Sequence, residues 1–123
     1  MIAIAALLLL AGVAAGAFGA HALRGRLAAD LQATYATAVQ YHLVHALGLL
    51  VVGVLRMQWP DAGALVLASW LLPVGIVLFS GSLYALALTG TRGLGAITPL
   101  GGLAWLAAWA AVAWAAFAHA TAR

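Results

Sequence analysis

Four long apolar runs, none of which contains a charged side chain, constrain this chain more than any other feature of its sequence. They cover about residues 2–20, 37–55, 64–88 and 99–118. A helix needs about 20 apolar residues to cross the roughly 30 Å hydrocarbon core of a bilayer. Because the chain has 123 residues, four spans and their connections nearly fill it. The pattern therefore predicts an all-α integral membrane four-helix bundle, with residues 1–123 forming a single domain.

The composition excludes a water-soluble domain. Hydrophobic residues make up 67% of the chain and charged residues 6%, whereas soluble domains carry about 25% charged residues. The five arginines are scattered along the sequence, so they form no basic stripe of the kind that binds nucleic acid. The chain has no cysteine, which excludes disulfides and thiolate metal sites.

The number of spans predicts the topology. Four crossings place both termini on one side of the membrane, here called side A, and the connectors at about 21–37 and 89–98 on the other side, called side B. Pro73 lies in the middle of the third span, where its missing N–H predicts a kink rather than a break. Arginines are nearly balanced between the two sides, so the positive-inside rule leaves the orientation undetermined.

Polar side chains gather at the side B end of the predicted bundle. His21 ends the first span there, and the second span carries His42 and His45 just below the surface. At 100° per residue, these histidines share one helix face with Tyr35, flanked by Tyr41. Since polar groups exposed to lipid lack partners, we expect this face to point into the bundle. The candidate ligand-binding residues are His21, Arg24, Tyr35, Tyr41, His42, His45, Ser80, Ser82 and Tyr84.

Small residues form a separate pattern. Gly12 and Gly16 make a G-x-x-x-G motif in the first span, and Gly19 extends it. Such a ridge allows close approach of another helix. We expect it to pack within the chain, with a homodimer seam as the alternative. Gly81 in the third span is a further predicted packing position.

Three sequence blocks resemble a known family. The segments GAFGAHAL at 16–23, LFSGSLYALAL at 78–88 and TPLGG at 98–102 are similar to the YgdD-like family, small bacterial inner-membrane proteins of unknown function. The resemblance covers nearly the whole chain in order. It implies a four-helix protein of the bacterial cytoplasmic (inner) membrane, with relatives among eukaryotic transmembrane proteins. It supplies no reaction, ligand or catalytic residue.

Three classes of function remain open at this point. The first is non-catalytic: a helix-packing scaffold, or a protein that binds membrane lipid headgroups or a partner membrane protein at the His21/His42/His45 end. The alternative is a metal or haem site built from the same histidines. The third is an oligomeric channel or transporter, although the spans lack charged residues that would couple ions. We expect no enzyme, since no nucleophile is paired with a base and a carboxylate, and no cofactor.

Overall fold

The computed structural model describes residues 1–121, and its long segments are all helical. The helices are α1 (Ile2–His21), α2 (Ala29–Gln58), α3 (Gly63–Gly75), a π-helical segment (Ile76–Gly81), α4 (Ser82–Thr89), a short 3-10 helix (Arg92–Ala96) and α5 (Thr98–Thr121). The run from α3 through the π segment to α4 is continuous, which gives four helices long and apolar enough to cross a membrane. The predicted all-α four-span class is confirmed.

Helix α2 begins earlier than the apolar run that predicts it. The sequence pattern places its first residues in a polar connector, but the helix starts at Ala29. The polar side chains in this stretch find partners on α1 and on their own helix. Gln32 donates from its amide to the Gly19 carbonyl (3.3 Å), and the Tyr35 hydroxyl donates to the Ala15 carbonyl (2.9 Å). Because these groups are hydrogen-bonded, the helix continues beyond the apolar run.

The third span changes helix type after Pro73. The proline lies within α3, and the helix passes into the π segment at Ile76. A proline removes one backbone donor, and in membrane helices local π winding can pair the backbone groups that the proline frees. At the same level the indole of Trp105 donates to the Leu72 carbonyl (3.1 Å), and Gly75 leaves the room that this ring needs. Helix α5 is therefore fixed to the third span close to the point where α-helical hydrogen bonding gives way to π-helical hydrogen bonding.

Helix α2 occupies the centre of the arrangement. It contacts α1 on one side and the third span on the other, while α5 packs mainly on the third span. A buried core of small and aliphatic side chains joins the elements, with Leu49 and Val52 of α2 against Leu72. At side A, the ring of Trp59 stacks on His119 with centroids 4.4 Å apart. The start of α3 and the end of α5 therefore share one end, as the predicted alternation requires.

The glycine ridge of α1 faces α2 of the same chain. A Cβ atom added to Gly12 would lie 2.7 Å from Cδ2 of Leu43, and one added to Gly19 would lie 2.5 Å from Cε1 of Tyr35. Gly16 also faces α2. Since real Cβ atoms do not approach so closely, the two helices can meet at this distance only with glycine at these positions.

Gly81 does not pack as predicted. A Cβ atom there would meet only the carbonyl oxygen of Ile76, in its own helical run, at 3.8 Å. Close contacts instead involve glycines outside the G-x-x-x-G motif. A Cβ on Gly101 would lie 2.5 Å from the backbone nitrogen of Phe79, and Gly48 faces an indole ring. These glycines do not form a G-x-x-x-G motif, so sequence spacing provides no signal for them.

Candidate functional site at the side B end

The two histidines of α2 point to different neighbours. Nδ1 of His42 lies 3.2 Å from the hydroxyl of Tyr84 in α4. Nδ1 of His45 donates to the carbonyl oxygen of Tyr41 (2.7 Å), and the His45 ring stacks on Trp105 of α5 with centroids 3.5 Å apart. Both side chains are buried. The two imidazoles, predicted to share one face of α2, therefore lie at separate helix interfaces.

The histidines also do not assemble a metal site. Within residues 1–121 there is no group of three or more His, Cys, Asp or Glu side chains that could hold a metal ion. His21 and Arg24 lie exposed at the end of α1 and in the connector that follows, away from the buried His42. The haem hypothesis needs His21 opposite an α2 histidine, and the metal hypothesis needs His42 and His45 to share one ion, with His21 as a third ligand. The fold supports neither arrangement.

A polar cluster joins α1, α2 and α4. The Tyr35 hydroxyl is bonded to the α1 backbone at Ala15, and the Tyr35 ring lies against the Tyr84 ring with centroids 5.1 Å apart. Tyr84 continues the chain of contacts to His42. Nε2 of His42 is buried without a hydrogen-bond partner among the residues that the structure describes. These predicted binding residues thus hold three helices together.

The two predicted serines lie between helices. Ser82 donates to the Phe79 carbonyl (2.9 Å), and its Oγ lies 2.9 Å from Oγ1 of Thr98, the first residue of α5. Ser80 is fully buried, and its hydroxyl has no partner within residues 1–121. Both side chains therefore sit in helix contacts rather than on an accessible surface.

Aromatic side chains form an open cleft around His45 that no sequence motif indicates. This aromatic cleft, of about 490 Å³, lies between α2, the π segment and α5. Its defining residues are Tyr41, His45, Phe79, Gly102, Trp105 and Trp109. Trp105 is buried, whereas Trp109 is 40% exposed. Because the walls come from three separate elements, only the helix arrangement brings them together.

A second cleft, the α1–α2 cleft, lies at the side B end. It has a volume of about 340 Å³ and is lined mostly by small and apolar groups, including Gly16, Gly19 and Ala20. The connector that follows α1 carries Arg24 and Arg26, both exposed. In the described part of the chain neither arginine has a carboxylate partner, whereas Arg92 pairs with Asp30 at 3.3 Å. A basic connector thus follows directly from the end of this cleft.

Four membrane-crossing helices with histidines and tyrosines in their contacts define a small integral membrane protein. The family described as "Protein of unknown function (DUF423)" matches residues 15–102. The chain belongs to this family, which confirms the predicted family kind and unknown biochemical role.

Curated relatives extend the match over most of the chain. The UPF0382 membrane protein YwdK of Bacillus subtilis is 50% identical over 100 residues, covering 81% of each chain. The UPF0382 membrane protein SH2409 of Staphylococcus haemolyticus is 45% identical over 114 residues, covering 88% of this chain and 87% of the relative. A UPF0382 membrane protein of Haemophilus influenzae is 38% identical over 105 residues, with 85% and 83% coverage. These names confirm the predicted location in a bacterial membrane. No solved structure matches the chain.

Proposed function

We propose that this protein is a non-catalytic membrane protein that binds an anionic phospholipid at its side B end. Arg24 and Arg26 contact the headgroup phosphate, and the α1–α2 cleft receives part of an acyl chain. The observation that carries the proposal is the pair of exposed arginines, free of carboxylate partners within residues 1–121, beside a mostly apolar cleft. Lipid is the only partner that the proposal requires, and it requires no cofactor.

The connector holds its arginines in a defined turn. Gly25, between them, has a φ of +74°, a left-handed conformation that favours glycine. The Arg26 amide donates to the Leu23 carbonyl (3.0 Å), and the Leu23 side chain is buried beside Tyr35. Two guanidinium groups so placed suit a phosphate, which arginine binds through paired N–H donors.

The α1–α2 cleft has the character of an acyl-chain groove. Its lining includes the small residues Gly16, Gly19 and Ala20 of α1 and Ala36 of α2. The Nε2 amide of Gln32 donates to the Gly19 carbonyl, whereas its Oε1 has no hydrogen-bond partner within residues 1–121. A saturated acyl chain in this groove exchanges its contacts with bulk lipid for contacts with α1 and α2. It leaves few polar groups without a partner.

The non-catalytic part of the proposal rests on how the buried histidines are used. Nδ1 of His45 is engaged by a backbone carbonyl, and Nδ1 of His42 by a tyrosine hydroxyl. Among residues 1–121, neither imidazole is hydrogen-bonded to a serine or a carboxylate. A hydrolytic site requires such a nucleophile and an orienting acid.

Native mass spectrometry tests the proposal. Protein in mild detergent is titrated with phosphatidylglycerol or, as the neutral-headgroup control, phosphatidylcholine. Each arginine near a membrane surface contributes about 1 kcal/mol, so Arg24→Gln/Arg26→Gln should weaken phosphatidylglycerol binding by about thirtyfold. Arg56→Gln, which removes one charge from side A, should leave it unchanged. Equal retention of both lipids by the unmodified protein would overturn the proposal.

A further inference from the structure

We infer that the aromatic cleft binds a planar hydroxyaromatic compound dissolved in the bilayer, the chemical class of phenols and quinols, through Nε2 of His45. This site is separate from the proposed lipid site. The lipid site lies between α1 and α2, whereas the aromatic cleft lies between α2, the π segment and α5.

His45 supplies an unused hydrogen-bond acceptor. Because a carbonyl oxygen only accepts, the 2.7 Å contact with the Tyr41 carbonyl assigns the hydrogen of the neutral ring to Nδ1. Nε2 then carries the lone pair, and it has no hydrogen-bond partner among residues 1–121. The His45 side chain is 6% exposed and lines the aromatic cleft. At this depth no bulk water satisfies the nitrogen, so a ligand O–H would relieve an unpaired polar group.

The walls of the cleft favour a flat ligand. The rings of His45, Trp105 and Tyr41 are nearly parallel, with interplanar angles of 7° for His45 with Trp105, 12° for Tyr41 with Trp105 and 9° for Tyr41 with His45. Trp109 is tilted by 53° to His45 at a centroid distance of 6.0 Å. Aromatic pairs of this kind contribute beyond the area that they bury. A planar ring can stack on these surfaces, whereas a branched or flexible chain cannot match them.

The cleft is open to lipid and large enough for such a ring. Leu103 and Leu106, which line it, are 62% and 69% exposed and lie within the α5 span, so the opening faces acyl chains. A Cβ atom on Gly102 would come no closer than 4.0 Å to Phe79, which leaves space at the wall. A cavity of about 150 Å³ holds one benzene ring, and the aromatic cleft, at about 490 Å³, holds two fused rings.

A matched pair of probes tests the role of Nε2. 2-Naphthol carries an O–H donor, and 2-methoxynaphthalene has the same rings without it. Each is titrated into protein in lipid nanodiscs, with ¹⁵N-labelled histidine observed by NMR. We expect 2-naphthol to bind at least fivefold more tightly and to shift the His45 Nε2 resonance while that of His42 stays in place. Equal affinities, or an unmoved His45 resonance at saturating 2-naphthol, would show an apolar groove filled by acyl chains and overturn the inference.

Three variants separate binding from folding. His45→Phe keeps a ring on Trp105 and removes the acceptor, so it should abolish the preference for 2-naphthol. Gly102→Leu fills the cleft without a backbone collision and should abolish binding of both probes. His42→Phe changes a histidine outside the cleft and should keep the preference. If His45→Phe does not fold, unchanged binding to Gly102→Leu would by itself overturn the inference.

Two ligands that differ only in oxidation state test whether the cleft prefers the hydroxylated form. Duroquinol carries two O–H donors, and duroquinone has the same methylated ring with none. Under anaerobic conditions, tighter binding of duroquinol supports the inference and points to membrane quinols. Tighter binding of duroquinone would contradict the acceptor role of His45 and overturn it.

Discussion

Neighbouring glycines at the start of α5 differ in what surrounds them. Gly101 lies against the backbone of Phe79, where a Cβ atom would come within 2.5 Å of the Phe79 nitrogen, whereas Gly102 borders the aromatic cleft. Backbone atoms cannot move aside as a flexible side chain can. The two residues look equivalent in sequence, and only the position of the π segment tells them apart.

Gly101→Ala should therefore destabilise the protein by about 1–3 kcal/mol through overpacking. Gly102→Ala should be neutral or stabilising by up to about 1 kcal/mol, since alanine favours a helix. Thermal unfolding in one detergent, with both variants side by side, checks this. Equal unfolding midpoints for the two variants would contradict the close contact at Gly101.

The hydroxyl of Tyr84 is the hydrogen-bond partner of a buried imidazole. Tyr84→Phe should lower the free energy of unfolding by about 0.6–2 kcal/mol, because it leaves both ring nitrogens of His42 unpaired. Tyr41→Phe is the matched control, since Tyr41 is 41% exposed and contacts its neighbours through its ring and carbonyl. Unfolding by titration with a denaturing detergent measures both. A smaller loss in Tyr84→Phe than in the control would contradict the assigned role.

At the scale of elements, the sequence predicts which segments are helical better than where they begin or how they are wound. The apolar runs identify the spans, but the start of α2 depends on hydrogen bonds from Gln32 and Tyr35 to α1. Pro73 indicates an irregular third span. It does not indicate a π turn, because that winding accompanies the close approach of Trp105 at Gly75. Both features come from neighbouring helices, which local patterns do not describe.

The π segment holds one residue more than α-helical winding would, and this sets the rotation of α4. Deleting Val77, an exposed residue within it, should restore α-helical winding and keep α4 in its present orientation, because the wider turn already absorbs the extra residue. Tyr84 would then stay beside His42, so the ¹⁵N resonances of His42 should keep their positions. Deletion of Leu67, an exposed residue of α3, is the contrasting variant: no extra residue is absorbed there, so α4 should turn by about 100° relative to the start of α3 and the His42 resonances should shift. A shifted His42 after deletion of Val77 would contradict this role of the π segment.

At the scale of the whole molecule, the sequence predicts the number of spans and their alternation but not which polar groups meet. His42 and His45 are only about 60° apart around α2, which from sequence reads as one face. In the fold this angle is enough to place His42 beside α4 and His45 against α5. The single predicted site is thus divided, and the aromatic cleft lies where no motif indicates it.

The absence of cysteine from the sequence makes the topology directly testable. Single variants Arg24→Cys and Thr91→Cys should react with a membrane-impermeant thiol reagent from the same side of sealed vesicles, and Asp61→Cys from the opposite side. Labelling after the vesicles are opened controls for intrinsic reactivity. Labelling of both Arg24→Cys and Asp61→Cys from the same side would contradict four crossings. The result also assigns sides A and B to the two faces of the membrane.

The central position of α2 also has a consequence for biosynthesis. Once the first two spans are in the bilayer, the bond from Tyr35 to the Ala15 carbonyl can form, since both partners have been made. His42 enters with the same span, yet Tyr84 is synthesised forty-two residues later. During that interval the nascent chain holds an imidazole in hydrocarbon before its partner exists. The first half of the protein can therefore insert early, but Nδ1 of His42 gains its tyrosine partner only when the second half arrives.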